Sequence, residues 1–284
     1  MTMNALERFL MTASCRDTDP IPKVPHAGRI VTVDGLALQI MHDGTKVLAG
    51  GYLGDWMADI IRSLRGHHEP QEELIFHHLL RYVRQRSTFV ELGSWWAYYT
   101  AWYLGSIPFA RALCVEPDAN HLKIGQDNLR LNRHEARFIN AAVGRQYLPA
   151  IELVRESDRQ KVQLPCLDMD ATLDAAGTDC IEVLHMDVQG AEYPFIQSMR
   201  KAVSAGKVRF IVVSTHHELI SQSPTTHEDC MREIVAMGGH IFCEHNVEES
   251  FSGDGLIVAS FFPCDQTLEF PSITRNQAAT SLFR

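Results

Sequence analysis

From residue 87 onward, short apolar runs alternate with segments of helical periodicity. The pattern predicts strands at 88–92, 111–116, 136–142, 181–187 and 208–215, with helices at 97–104, 119–131, 191–203 and 226–237. A β-rich insert reaches through 167, and two closing strands near 240–246 and 255–262 are joined by a turn shaped by Gly253-Asp-Gly255. Strands that are apolar throughout belong to a sheet covered on both faces, and strand–helix alternation makes that sheet parallel. The expected fold is α/β: a seven-stranded, mostly parallel sheet with an antiparallel last strand.

Before residue 87 the pattern is different. A helical stretch at 6–13 precedes Pro20, Pro22 and Pro25, which interrupt regular structure. Runs at 29–33 and 36–40 flank Asp34-Gly35, a two-residue hairpin signal. Gly50-Gly51 leads into a helical pattern at 55–64. Glu69-Pro70-Gln-Glu72 then opens a helix running to about residue 83, with proline in its first turn and acids near the positive end of its dipole. Two units are expected, an N-terminal α+β cap over 1–86 and a second domain over 87–284.

Composition narrows the classes. With 284 residues, 45% hydrophobic and 21% charged, the chain can bury a sizeable core without staples. A formal net charge of −9 opposes general affinity for nucleic acid or for an anionic membrane. The only adjacent basic pair is Arg200-Lys201, and Arg81, Arg84 and Arg86 read as a helix end. Seven dispersed cysteines, without a Cys-x-x-Cys pair, suit a reduced cytoplasmic protein rather than a disulfide framework or zinc site. The start, Met1-Thr-Met-Asn-Ala-Leu-Glu-Arg8, lacks the order of a signal peptide, and no apolar run approaches the ~18 residues of a membrane span. Soluble and cytoplasmic is the expectation, with no metal-binding His-Glu-x-x-His box.

Candidate chemistry lies at strand ends, where an open α/β sheet binds ligands. The first strand ends in Glu91, with Gly93 and Ser94 in the turn behind it. The acid can accept from a ligand ammonium and the turn can offer backbone N–H groups; a plain surface turn is the simpler reading. Glu116, about 25 residues later, ends the second strand where a ribose ligand is usual. The alternative, a partner for the start of the helix after Pro117-Asp118, is the less favoured reading. Asn140-Ala-Ala-Val-Gly144 leaves room for a flat base beside Asn140 and Ala141, or packs a strand end tightly. Asp187 leaves the central strand before Gly190 and Glu192, and could orient a ligand amine or substrate or hold a metal; Glu192 also reads as a first-turn acid. His216 and His217 end the fifth strand, where a neutral imidazole can accept a hydroxyl proton. Alternation along an extended segment lets only one of them point inward.

Taken in order, Glu91-Leu-Gly-Ser-x-x-Ala-Tyr-Tyr-Thr100, Val115-Glu116-Pro117, Asn128-Leu-x-Leu-Asn132, Asn140-Ala-Ala-Val-Gly144 and Asp187-Val-Gln-Gly-Ala-Glu192 resemble the FkbM family of methyltransferases, over roughly 88–218. The resemblance implies a Rossmann-like class I methyltransferase fold and S-adenosylmethionine as donor. It also implies O-methylation of a sugar, polysaccharide or secondary-metabolite hydroxyl. It places Glu91, Gly93 and Ser94 at the methionine portion, Glu116 with Pro117 at the ribose, Asn140 and Ala141 at the adenine, and Asp187 beside the methyl group. Ser214-Thr-His216 looks like a Ser-x-His element of some members, which favours His216 over His217 as general base. Two departures stand out. Ala97 replaces a turn glycine and fits there if its φ stays negative, and Trp95, followed by Trp96, must stack beside the cofactor or swing away.

Rival readings are weaker. A nicotinamide-dependent oxidoreductase lacks its Gly-x-Gly-x-x-Gly turn. A non-catalytic binding module leaves acids at 91, 116 and 187 unexplained, and the acidic charge opposes nucleic-acid methylation. A metal-assisted variant would use Asp187, Glu192 and a histidine. The partner is a small-molecule or glycan hydroxyl acceptor, and the oligomeric state stays open, a homodimer being one option. Residues 1–86 are expected to cover the crevice and help choose the acceptor through Tyr52, Trp56 or Gly50-Gly51.

Overall fold

A computed structural model describes residues 4–283; Met1 to Met3, the first part of the N-terminal segment read above, and Arg284 lie outside them. The N-terminal elements are α1 (Ala5–Ser14), β1 (Ile30–Val33), β2 (Leu36–Ile40), β3 (Lys46–Leu48), α2 (Asp55–Ser63) and α3 (Pro70–Leu79). The hairpin forms at Asp34-Gly35 as its sequence predicts, and β3 adds a third, unanticipated strand. Helix α3 stops at Leu79, four residues short of the expected end.

There follow β4 (Thr88–Leu92), α4 (Tyr98–Ser106), β5 (Arg111–Val115), α5 (Ala119–Leu131), β6 (Arg137–Ile139), β7 (Ala142–Val143), β8 (Leu148–Val154), β9 (Lys161–Leu167) and α6 (Met169–Ala176). The chain continues through β10 (Ile181–Met186), α7 (Glu192–Ser198), α8 (Arg200–Ser204), β11 (Val208–Thr215), α9 (Glu218–Ser221), α10 (Thr226–Ala236), β12 (His240–His245) and β13 (Gly255–Ser260). The main sheet has the order β12-β13-β11-β10-β4-β5-β6. Only β13 runs against its neighbours β11 and β12. The mostly parallel sheet with an antiparallel last strand is thus present.

Three local expectations are corrected. The strand expected at 136–142 divides at Asn140, whose Nδ2 donates to the carbonyls of Glu116 and Pro117 at 2.9 Å each. That contact ties residue 140 to the turn after β5, so β6 stays in the main sheet while β7 pairs with β9 in a second one. The helix expected at 191–203 divides at Met199 into α7 and α8. Helix α6 was not anticipated; Asp168 caps it, accepting from the N–H of Ala171 at 3.0 Å.

Alternation along the strands sends successive side chains into two cores. Val90, Leu92, Leu184 and Met186 join the cluster with Phe195 and Ile196 of α7. Phe89, Val183 and Phe210 face Phe76 and Leu79 of α3 and Tyr103 of α4. This parity decides where Glu91 points, because it shares the face of Phe89. The Asn128-Leu-x-Leu-Asn132 run has a structural role. One helical turn apart on α5, Asn128 accepts from Leu48 N at 2.8 Å, and Asn132 accepts from Lys46 N at 2.9 Å and donates to Lys46 O at 2.7 Å. The two amides satisfy the open edge of β3, which would otherwise expose unpaired backbone groups. Among the described residues, no helix is long and apolar enough to cross a membrane.

Candidate active site

Strand β4 sits between β5 and β10, so the connections leave it in opposite directions and open a crevice at the strand ends. The turn after β4 is fastened to β5: the N–H groups of Gly93 and Ser94 both donate to Val115 O, at 2.8 and 3.1 Å. Gly93 has φ +75°, and a Cβ there would lie 1.6 Å from Asp187 O. Nothing larger than glycine fits between these two strand ends.

Trp95 and Ala97 also have positive φ, at 31° and 55°. The negative φ that would have made alanine comfortable is therefore absent, and a left-handed alanine costs about 1–2 kcal/mol. Packing offsets that strain. Asn128 Nδ2 donates to Trp96 O at 2.9 Å, and Ala97 belongs to a small core cluster with Ala101, Cys114 and Leu129.

The crevice has a volume of about 520 Å³, and Gly93, Trp95, Glu116, Pro117, Ala141 and Asp187 all line it. Glu116 is 5% exposed and accepts from Asp118 N at 2.8 Å and Trp95 N at 2.9 Å. Burial pushes its carboxyl up to about 8. The ligand and helix-start readings therefore coexist in one side chain. Trp95 stays in the crevice wall, its ring stacked 3.6 Å from His121. Tyr52 stacks on Trp96 at 4.7 Å and lines the same space. Ile151, Leu153 and Val162 of β8 and β9 supply an apolar side.

Glu91, Ser94 and Asn140 stand outside this lining. Glu91 points into the α4 face, where it accepts from Thr100 N at 3.1 Å and from the Thr100 hydroxyl. Burial pushes its carboxyl up to about 7. Ser94 is buried behind the turn, and Asn140 is exposed with its amide spent on the carbonyls already named.

Asp187 joins the crevice lining to an ionic cluster whose other members, His216 and Asp254, stand outside that lining. His216 is buried, with Nδ1 2.7 Å from Glu192 Oε1 and Nε2 3.2 Å from Asp187 Oδ1 and 3.6 Å from Asp254 Oδ1. Burial alone would lower its basicity, but the charges of Asp254 and Glu192 and the bond to Asp187 outweigh burial and hold the imidazole well above its ordinary value. The neutral imidazole expected from sequence is not the form these neighbours favour. Asp187 is held low: burial opposes ionisation, and the hydrogen bond to His216 overcomes it. Burial, with Asp187 and Glu69 nearby, pushes Asp254 up to about 7 against the pull of His216. His217 turns away. Its Nδ1 accepts from Leu219 N at 3.2 Å at the start of α9, and its ring stacks on Phe283 at 4.1 Å. Of the two histidines, His216 faces Asp187.

Sequence reasoning assigned Asp254 only to a turn, although an acid between two glycines in a strand connection is a recognisable signal. It also read Glu69 and Glu72 as dipole acids. Glu72 instead accepts from Ser214 Oγ at 2.7 Å and meets His185 Nε2 at 2.7 Å. The Ser214-Thr-His216 element therefore joins α3 through its serine and the crevice through its histidine. Among the described residues, one group has metal-ligand atoms within 4.8 Å of one another: His42, His67 and Glu73. Direct hydrogen bonds occupy it, His67 Nδ1 to Glu73 at 2.5 Å and His42 Nδ1 to Tyr98 OH at 3.0 Å, and it includes neither Asp187 nor His216.

A family model for the methyltransferase FkbM domain matches residues 97–241. No curated protein matches the chain. Among solved structures, precorrin-6y C5,15-methyltransferase from Geobacter metallireducens is 10% identical, with a TM-score of 0.43, covering 66% of this chain and 86% of its own. Magnesium protoporphyrin IX methyltransferase from Synechocystis PCC 6803, solved with bound S-adenosylmethionine, is 9% identical over 66% and 77%, with a TM-score of 0.43. A putative O-methyltransferase from Klebsiella pneumoniae is 15% identical over 67% and 78%, with a TM-score of 0.41. At such identities the likeness concerns the fold alone. The family match spans just over half of the chain and contains Glu116, Asp187 and His216, so this protein belongs to the FkbM family of S-adenosylmethionine-dependent methyltransferases.

Proposed function

We propose that the protein is an O-methyltransferase acting on a hydroxyl of a sugar, polysaccharide or secondary metabolite in the cytoplasm. The observation that carries this reading is the meeting of Asp187, which lines the crevice, with His216, and of His216 with Asp254. When bound, S-adenosylmethionine supplies an electrophilic sulfonium methyl. The crevice suits it: Gly93 leaves the backbone bare, Glu116 has lone pairs left for ribose hydroxyls, and Pro117 and Ala141 form a low wall beside which a base fits. Glu91 and Ser94 support the turn from behind, and Asn140 fixes Glu116 and Pro117 through their carbonyls.

Asp187, which lines the crevice, helps to place the acceptor oxygen beside the transferred methyl; positioning of this kind supplies much of the acceleration in group transfer. Because His216 keeps its proton at neutral pH, the hydroxyl proton passes to the carboxylate of Asp254, whose affinity for it is matched to that pH. His216, oriented by buried Glu192, holds the two carboxylates apart and balances their charge. Residues 1–86 act as the cap, Tyr52 and Glu69 closing the acceptor side.

Transfer of the labelled methyl from S-adenosylmethionine to a panel of glycans and hydroxylated metabolites, with the product bond read by NMR, tests the proposal. A methyl ether supports it. A methyl on nitrogen or carbon overturns it.

A further inference from the structure

In a chain of net charge −9, one concavity of about 560 Å³ is lined by Lys23, His26, Arg29, Arg62 and Arg65 and by no acidic residue. These residues are scattered in sequence, and the fold gathers them. Gly28 has φ +84°, and a Cβ on it would lie 2.9 Å from Ile61 O, so the 23–29 loop rests directly on the last turn of α2. That turn closes with Gly66 N donating to Ile61 O at 2.7 Å, which leaves Arg65 in the left-handed conformation at φ 56°. Glycine is the usual residue there, and an arginine is held at a cost of about 1–2 kcal/mol.

The cations are largely unneutralised. Arg62 makes one exposed pair with Asp59 at 2.6 Å. Lys23 Nζ donates to the carbonyls of Thr18 and Ile21 at 2.6 and 2.9 Å, which anchors the ammonium and leaves it a third N–H. Among the described residues, no carboxylate pairs with Arg29 or Arg65. Burial and then the charge of Arg65 hold the Lys23 ammonium below its ordinary range. A neighbouring groove of about 470 Å³ shares Lys23 and Val24 and extends the positive run to Arg81. Its one acid, Asp43, is occupied by the N–H and hydroxyl of Thr45 at 2.9 and 3.0 Å.

Like charges gathered in a concavity without counter-charge repel one another, and a multivalent anion relieves that repulsion. Guanidinium groups match phosphate oxygens in a bidentate fork, and an ammonium adds a point charge. We propose that Lys23, Arg29 and Arg65 form a binding site for a ligand carrying two or more phosphate groups. The site shares no lining residue with the methyl-transfer crevice. Such groups come from a free diphosphate compound or from a surface of phospholipid headgroups. For the second source, Ile30, Val33 and Leu36 of the adjacent hairpin are 39%, 40% and 48% exposed.

Calorimetric titration of the full chain with inorganic pyrophosphate, beside co-sedimentation with phosphatidylglycerol vesicles, tests the site. Saturable binding in either arm, weakened at least tenfold by Arg29→Ala combined with Arg65→Gly and partly kept by Arg29→Lys, supports it, and the responding arm identifies the source. Phosphatidylcholine vesicles should not bind. S-adenosylhomocysteine binding by the double variant should equal that of the wild type, which shows that the variant folds and separates this proposal from the methyltransferase reading. Binding in neither arm overturns the proposal, as does binding unchanged in the double variant or abolished by saturating S-adenosylhomocysteine.

Discussion

The carbonyl oxygen of Asp187 occupies the space into which a side chain on Gly93 would project, 1.6 Å from an ideal Cβ. Two neighbouring strand ends thus touch through backbone alone, and the crevice floor is continuous across them. Gly93→Ala must therefore move β4 away from β10 as well as hold alanine at φ +75°. The left-handed conformation costs about 1–2 kcal/mol and overpacking about 1–3 kcal/mol more. Thermal unfolding should show a loss of roughly 2–5 kcal/mol, with S-adenosylhomocysteine binding weakened at least tenfold. Unaltered stability and binding would mean that the strand ends are not in contact.

Glu116 makes the empty protein sensitive to alkali. Its folded carboxyl titrates at about 8 against an ordinary 4.5, so the folded state binds the extra proton between those values. Stability from this group is complete below the unfolded value and lost as pH rises through the folded one. Unfolding of the ligand-free protein should become easier from pH 5.5 to pH 8.5, by an amount on the order of a few kcal/mol from this residue. Glu116→Gln, which keeps the shape without the charge, should flatten that slope and weaken S-adenosylhomocysteine binding. A variant slope as steep as that of the wild type would assign the effect elsewhere.

The sheet was legible because its strands are apolar on both faces and its turns carry glycine or acid, features that persist in a one-dimensional pattern. The placement of Glu116, Asp187 and His216 at the ends of β5, β10 and β11 was legible for the same reason, since strand ends converge whatever the side chains do. Long-range partners were not legible. Glu72 reads locally as a first-turn acid, and only folding brings it to His185 and Ser214, 113 and 142 residues away. Ala97 shows the same limit: an alanine in a sequence does not report the sign of its φ, which here is set by Asn128 of α5. The charge state of His216 depends on three carboxylates, two from the Asp187–Glu192 box and one, Asp254, from a distant turn, and no single local motif encodes that sum.

His216 and His217 should separate cleanly by substitution. His216→Ala leaves Glu192, which is fully buried, without its ion-pair partner at 2.7 Å and with the N–H of Gly190 still donating to it. An orphaned buried charge costs about 3–5 kcal/mol, so the single variant should unfold well below the wild type. Adding Glu192→Gln removes the orphan and should recover part of that loss, giving a coupling energy of about 1–3 kcal/mol in a double-mutant cycle. Both variants should lose at least ~10²-fold in turnover. His217→Ala, which removes a stack on Phe283 and the hydrogen bond from Leu219 N, should stay within about threefold of wild-type turnover. Equal losses at the two positions would show that facing Asp187 is not what matters.

Asp254 sets the expected pH dependence of catalysis. The groups that face it are His216 just after β11, Asp187 just after β10, Glu69 ahead of α3 and Arg8 of α1. Burial and the two acids raise its carboxyl to about 7, while the two cations restrain that rise. As a proton acceptor it works only when ionised, so kcat/KM should rise about tenfold per pH unit below neutrality and level off above it. The inflection belongs to the Asp254–His216–Asp187 cluster as a whole, because the three titrate together. Asp254→Asn keeps the turn between Gly253 and Gly255 but cannot take the proton. Its kcat/KM should fall by ~10²–10⁴-fold, and the inflection near 7 should vanish while S-adenosylhomocysteine still binds. If the variant retains that inflection, Asp254 is not the acceptor, and the proton leaves through Asp187 or His216 instead.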